Sequence, residues 1–230
     1  MANGGAFQHA VELARNNPTL DVGCHLVMVQ GHSVLNPARK LPATLKELLG
    51  ALARREIRPY EEARAQVRKI LDAGIGLSHI DSHKHTHLLP PVMDALLRVA
   101  HEFGIHWVRR PFDFELDAAA SLKKRAVTLA IRMLRPAFQR KLAGLRSTSH
   151  FTGFQHTGSL DTVSLQRILE RLPAGITELM CHPGRHGPEL AAAATRLKQS
   201  RAVELTALTS AEALAAIARR QVRLVKYRDL

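Results

Sequence analysis

Residues 77–91 read Leu-Ser-His-Ile-Asp-Ser-His-Lys-His-Thr-His-Leu-Leu-Pro-Pro, placing a ligand-type side chain at every second position from His79 to His87. Alternate residues of a β-strand share a face, so His79, Asp81, His83 and His85 are expected on one side and Ile80, Ser82 and Lys84 on the other. Neutral imidazole binds zinc and similar cations, and a carboxylate beside it fixes which ring nitrogen carries the proton. The alternation runs into Pro90-Pro91, as expected of a strand that opens into a metal or acid–base site. A solvated histidine-rich turn is the plainer alternative.

The elements that must position these side chains follow from hydrophobic period and from Pro, Gly and capping residues. A helix is expected over 6–16, and a buried strand carrying His25 over 20–29. Helices follow over 45–55 and 60–72, the second opened by Pro59 and closed by Gly74. After the histidine strand come a helix over 91–103, a strand over 105–109 ending in Arg109, and a basic helix over 122–146 bent near Pro136. A short strand or loop at 150–154 precedes a helix capped by Asp161. A strand over 176–181 then delivers His182, a helical region spans 188–218, and 222–227 reads as a closing strand. His25, His83, Arg109 and His182 thus come from four strand ends, the distribution of a (β/α) barrel with its site at the C-terminal rim. An open doubly wound sheet is second, without a Gly-rich nucleotide turn to support it.

Composition narrows the classes. With 46% hydrophobic and 4% aromatic residues in 230, one aliphatic core and one domain are expected. The first residues lack the basic and apolar regions of a signal peptide, and no run approaches a membrane span, which reads as cytoplasmic. Cys24 and Cys181 each precede a histidine and read as small core residues facing away from it, neither disulfide partners nor ligands. Thirty-three Lys and Arg against twenty Asp and Glu give a net charge of +13. Nucleic acid is not the expected partner, since RNP-like aromatics, zinc-finger spacing and a phosphate loop are all missing from the sequence. The charge concentrates in 122–146, which carries Lys123, Lys124, Arg125, Arg132, Arg135, Arg140, Lys141 and Arg146 without an acid. Val127, Ile131, Leu134, Phe138 and Leu142 recur there at helical spacing, so the segment reads as an outer amphipathic helix with a solvated basic face or an affinity for anionic membranes.

GCHLVMVQGHSVL, HIDSHKHTHLLPPV, ELMCHPG and RAVELTALTS with VRLVKYRDL, in that order, resemble the successive motifs of the YdjC-like carbohydrate deacetylases, the chitooligosaccharide deacetylase family. The resemblance spans nearly the whole chain and is strongest toward members associated with hopanoid biosynthesis. It implies a deacetylase-type (β/α) barrel, a divalent cation (magnesium or zinc) held by one Asp and two His, and removal of an acetyl group from an N-acetylated amino sugar, there lipid-linked. By motif match the metal histidines are His25 and His83. His182 matches a site histidine that protonates the leaving amine or stabilises the oxyanion. Asp81 stands beside the metal ligand as an orienting carboxylate, Arg109 matches a basic residue near the sugar pocket, and His79, His85 and His87 line or flank it. Pairing with an acid is the structural alternative for Arg109.

Family members open with a strand ending in Asp-Asp-Phe-Gly, which supplies the metal-binding Asp and a base; this sequence contains no such motif. The resemblance therefore implies that about one βα unit, on the order of 30 residues, is absent from the N-terminus. Very weak turnover is expected, because catalytic zinc sites use three protein ligands. The open sheet edge invites pairing with another chain, so a homodimer is expected as well. A barrel metal hydrolase of amidohydrolase type, using His83 and His85 as its His-x-His pair, and a non-catalytic homologue that binds glycan or anionic lipid are the alternatives.

Overall fold

The computed structural model describes residues 1–230 except Ala119, Ala143 and Ala194. The chain runs through α1 (Phe7–Asn16), β1 (Gly23–Leu26), α2 (Leu45–Ala53), α3 (Pro59–Asp72), β2 (His79–Ser82), a 3-10 turn (His83–Leu88), α4 (Pro90–Glu102) and β3 (Trp107–Val108). It continues through α5 (Leu122–Arg132), α6 (Arg135–Lys141), β4 (His150–Thr152), α7 (Thr162–Glu170), β5 (Thr177–Leu179), α8 (Pro188–Ala192), α9 (Gln199–Leu208), α10 (Ala211–Arg219) and a terminal 3-10 turn (Tyr227–Asp229). Helices alternate with parallel strands, as the sequence pattern predicts for an α/β protein.

Two compact units are formed. The first comprises Met1–Arg109, Pro136–Ser147 and Val225–Leu230, and the second Arg110–Arg135 and Thr148–Leu224. In the first, β1, β2 and β3 form a parallel sheet in that order, with His25 opposite Asp81 and His79 opposite Trp107. Arg146 extends it as a bridge to Trp107. Cys24, Leu26, Ile80 and Val108 are buried, as are Val67 and Ile70 of α3 and Val92, Leu96 and Val99 of α4. Each such aliphatic side chain contributes about 1.5–3 kcal/mol by leaving water. Pro59 and Pro90 open α3 and α4 at positions where a missing N–H costs nothing. In the second unit β4 pairs with β5, and Leu160, Leu165, Ile168, Leu169, Ala207, Ala213 and Ala216 gather α7, α9 and α10 into a core. Asp161 caps α7 as expected, its carboxylate accepting the Ser164 N–H at 2.8 Å.

Three expectations are corrected. The histidine strand ends at Ser82, because Lys84 and His85 take left-handed φ values of 53° and 52° and turn the backbone into the 3-10 segment. The one-face alternation therefore holds for His79 and Asp81 but does not carry His83 and His85. The 122–146 helix is two helices, α5 and α6, because Pro136 is tolerated in the first turn of α6 but not in the interior of one continuous helix. The 188–218 region is helical as expected, in the form of α8, α9 and α10. Residues 222–227 form no strand: Tyr227 instead stacks on His79 at 4.2 Å between ring centroids, and Arg228 Nε donates to Asp21 at 2.8 Å. Cys24 is fully buried, which pushes its thiol up to about 12, whereas Cys181 is half-buried.

Candidate functional site

The parallel register of the first unit sets His25, Asp81 and Arg109 in a row at the strand ends. His25 faces away from the core that Cys24 and Leu26 enter, because neighbours on a strand alternate. Its Nδ1–H donates to Asp81 Oδ1 at 2.8 Å, and Arg109 Nη1 donates to Asp81 Oδ2. Asp81 is 4% exposed. Burial alone would raise its pKa, but the His25 imidazole and the Arg109 guanidinium outweigh that and hold the carboxyl well below the usual range. Arg109 thus takes the acid-paired position.

His83 stands next to this row although it has left the strand. Its ring meets that of His25 edge-on, with centroids 5.6 Å apart, and its Nε2 donates to Gln30 Oε1 at 3.2 Å. The Ser82 hydroxyl fixes the turn: it accepts the His87 backbone N–H at 2.8 Å and lies 2.6 Å from the His87 ring Nδ1. Burial pushes His87 down to about 4 and His85 down to about 3, so both rings are neutral at ordinary pH. His79 is a packing residue. It stacks on Tyr227 and lies across Gly23, where a Cβ would come within 2.2 Å of its Nε2.

A donor set of this kind suits part of a cation's coordination shell. With Nδ1–H held by Asp81, a neutral His25 ring keeps its lone pair at Nε2, the arrangement by which a second carboxylate orients a metal-binding imidazole. Among the described residues, no group of three or more His, Cys, Asp and Glu is gathered so as to hold a metal ion. His25 and His83 are the two imidazoles the structure brings together here, and no third such group joins them among the described residues.

The loop beyond β1 is held by side chains that the hydrophobic period does not reveal. Buried Glu62 of α3 accepts from the Ser33 hydroxyl, from Val34 N–H at 2.9 Å and from Leu35 N–H at 3.3 Å. Gln66, one turn on, pairs with both backbone groups of Val27 at 2.8 Å each. This anchors the chain that carries Gln30 toward His83.

In the second unit β5 leads to His182. The backbone N–H of His182 donates to the Glu204 carboxylate, and its Nδ1 lies 3.9 Å from Glu204 Oε2. Glu204, on α9, is 1% exposed. It lies in the 201–210 stretch that carries part of the family resemblance, and an acid on a helix's buried face is the signal that marks it. Gly153, at φ 109°, permits the close approach of β4 to β5, since a Cβ there would lie 2.2 Å from the Met180 carbonyl oxygen.

A carbohydrate deacetylase of Brevibacillus brevis is 29% identical over the whole chain, which covers 86% of that protein. A chitooligosaccharide deacetylase of Klebsiella pneumoniae is 30% identical, again over the whole chain and 86% of the relative. A crystal structure from Enterococcus faecalis, described as a cellobiose-phosphate cleavage protein, superposes over the whole chain and 85% of its own length with a TM-score of 0.73 at 21% identity, a likeness of fold. The family model described as YdjC-like protein matches residues 1–219, so the chain belongs to the YdjC-like family.

Proposed function

We propose that this protein is a metal-dependent carbohydrate N-deacetylase, hydrolysing the acetamido group of an N-acetylglucosamine-containing glycan or glycolipid, with a hopanoid-linked amino sugar as the lipid-borne case. The fold proposed for it is the closed (β/α) barrel of its family. The observation that carries the reading is the pair of edge-on imidazoles, His25 and His83, with Asp81 locking His25 from behind. The names of the relatives, carbohydrate deacetylase and chitooligosaccharide deacetylase, support the substrate class.

His25 and His83 would hold the cation, magnesium or zinc, which when bound polarises an acetyl carbonyl and acidifies a water. Asp81 keeps His25 in one tautomer and one orientation. Arg109 keeps Asp81 ionised and is the group assigned to the sugar hydroxyls, with His85 beside the pocket. His182 is assigned proton delivery to the departing amine, with Glu204 accepting its backbone N–H.

A second reading, binding of glycan without turnover, is favoured by the missing third ligand among the described residues. Acetate release from chitooligosaccharides, measured with added zinc or magnesium for the wild type and for His25→Ala and His83→Ala, separates the two. Metal-stimulated release lost in both variants supports the enzyme. No release, with oligosaccharide binding retained by calorimetry, replaces it with the binding reading.

A further inference from the structure

Helix α5 is turned the wrong way round for a helix of a soluble domain. Thr128 is its one buried residue. Leu122, Ala126, Leu129 and Met133, at i, i+4, i+7 and i+11, form a single stripe, and 3.6 residues per turn put that stripe opposite Lys124 and well round the helix from Thr128. The stripe faces solvent: Leu122 is 79% exposed, Leu129 53% and Met133 77%. The side chains of α5 that bond within the second unit are polar ones. Lys124 Nζ donates to Ser159 Oγ at 3.0 Å, and the Thr128 hydroxyl donates to the Lys124 carbonyl at 2.9 Å.

On either side of the apolar stripe stand cations, Lys123 on one flank and Arg125 and Arg132 on the other, with no acid anywhere in 122–146. Leucine and methionine outward, with Lys and Arg along both edges, is the cross-section of a helix that lies in the plane of a lipid interface. Long basic side chains can keep their charge among headgroups while their stems follow the apolar face down. Among the described residues, no helix is long and apolar enough to cross a membrane, so an in-plane contact is the geometry open to α5. A second copy of this chain fits the stripe poorly, since it would bring two +13 proteins together with their basic flanks apposed. Nucleic acid matches the flanks but offers nothing to three exposed apolar side chains.

We infer that α5 is the docking surface of this protein on anionic membranes, with Leu122, Leu129 and Met133 entering the interface and Lys123, Arg125 and Arg132 meeting the headgroups. The inference stands on the helix itself and does not require the deacetylase reading. Co-sedimentation tests it, with vesicles of equal phosphatidylglycerol and phosphatidylcholine against phosphatidylcholine alone, at 0.05 and 0.3 M salt. The wild type is expected to bind the anionic vesicles at least about tenfold more tightly than the neutral ones and to weaken with salt, since exposed charges are screened over about 10 Å at 0.1 M. L129S/M133S is expected to lose on the order of 100-fold, about tenfold for each apolar side chain withheld from the interface. Because both residues are exposed, its circular dichroism and thermal midpoint should match the wild type. No binding to anionic vesicles, equal binding to neutral ones, or an unchanged L129S/M133S would overturn the inference. A concentration-dependent dimer abolished by L129S/M133S would assign the stripe to a second copy instead. Tight duplex binding lost on replacing Lys123, Arg125 and Arg132 with Gln but indifferent to L129S/M133S would assign the surface to nucleic acid.

Discussion

Replacing Asp81 with Asn removes one negative charge from the row of His25, Asp81 and Arg109 while keeping the side chain's shape. The Arg109 side chain is only 15% exposed and that of Asp81 5%, so the substitution strands a largely buried guanidinium. Two unit charges about 4 Å apart interact by about 4 kcal/mol at an effective dielectric constant of 20, and removing one partner of a buried pair typically costs 3–5 kcal/mol. Asn escapes the desolvation that burial imposes on the carboxylate, and His25 is one-third exposed, so a loss of about 3 kcal/mol is expected. The assay is urea unfolding followed through Trp107, the chain's single tryptophan, which lies in β3 of the same unit as the pair. Replacing Arg109 with Met in the D81N background should recover part of the loss, because the stranded charge is gone; the cycle should give a coupling of about 1–3 kcal/mol. On the proposed metal-dependent reading, zinc affinity measured by calorimetry should fall about 10- to 100-fold in D81N as His25 loses its orienting partner. A D81N stability within about 0.5 kcal/mol of wild type would refute the claim that this row is a buried electrostatic unit.

Two further outcomes follow from the same unit. His85 and His87 are held neutral by burial, with pKa values pushed down to about 3 and about 4, so their contribution is fully present above the unfolded value near 6.5 and is lost as pH falls toward 4. Urea midpoints should therefore drop steeply between pH 7 and 4.5, by up to about 3 kcal/mol for His87 alone, and a flat profile would contradict it. Gly23→Ala should cost about 1–3 kcal/mol by driving a methyl into the His79 ring, and G23A/H79A should be more stable than G23A; thermal unfolding of the three proteins measures this.

The α/β alternation and most helix starts were legible because each rests on a local signal, namely period, Pro, caps and strand alternation, whereas the companionship of His25 and His83 was implied by the family resemblance. What the sequence concealed depends on contacts between distant residues. The alternating histidines continue past Ser82 in the sequence, but the backbone does not continue as a strand, because one hydroxyl at Ser82 engages His87 five residues on and two residues adopt positive φ. Glu62 and Gln66 sit on the buried face of α3 beside Ala63, Val67 and Ile70, where apolar periodicity gives no reason to expect a carboxylate. Their partners are the backbone of a loop some thirty residues away. The 222–227 stretch alternates like a strand, yet its end is used as a clasp, with Tyr227 on His79 and Arg228 on Asp21.

Helix α5 exposes a deeper limit of pattern reading. The sequence pattern picks out Val127, Ile131 and Leu134 and passes over the stripe of Leu122, Leu129 and Met133; helical spacing says which side chains share a face but carries no sign, and that an apolar face turns inward follows only from the premise that water is the sole solvent on the other side. For α3 and α4 the premise holds, and Val67, Ile70, Leu96 and Val99 are buried. For α5 it fails, since Thr128 and Lys124 turn inward and the leucines face out. A helix of only 11 residues buries little, so the polar contacts of Lys124 with Thr157 and Ser159 are enough to set its rotation about its own axis. The absence of acids over 122–146 was the sequence's own indication that this segment answers to a second environment, because a helix that merely covers a core has no reason to exclude Asp and Glu from its solvent side.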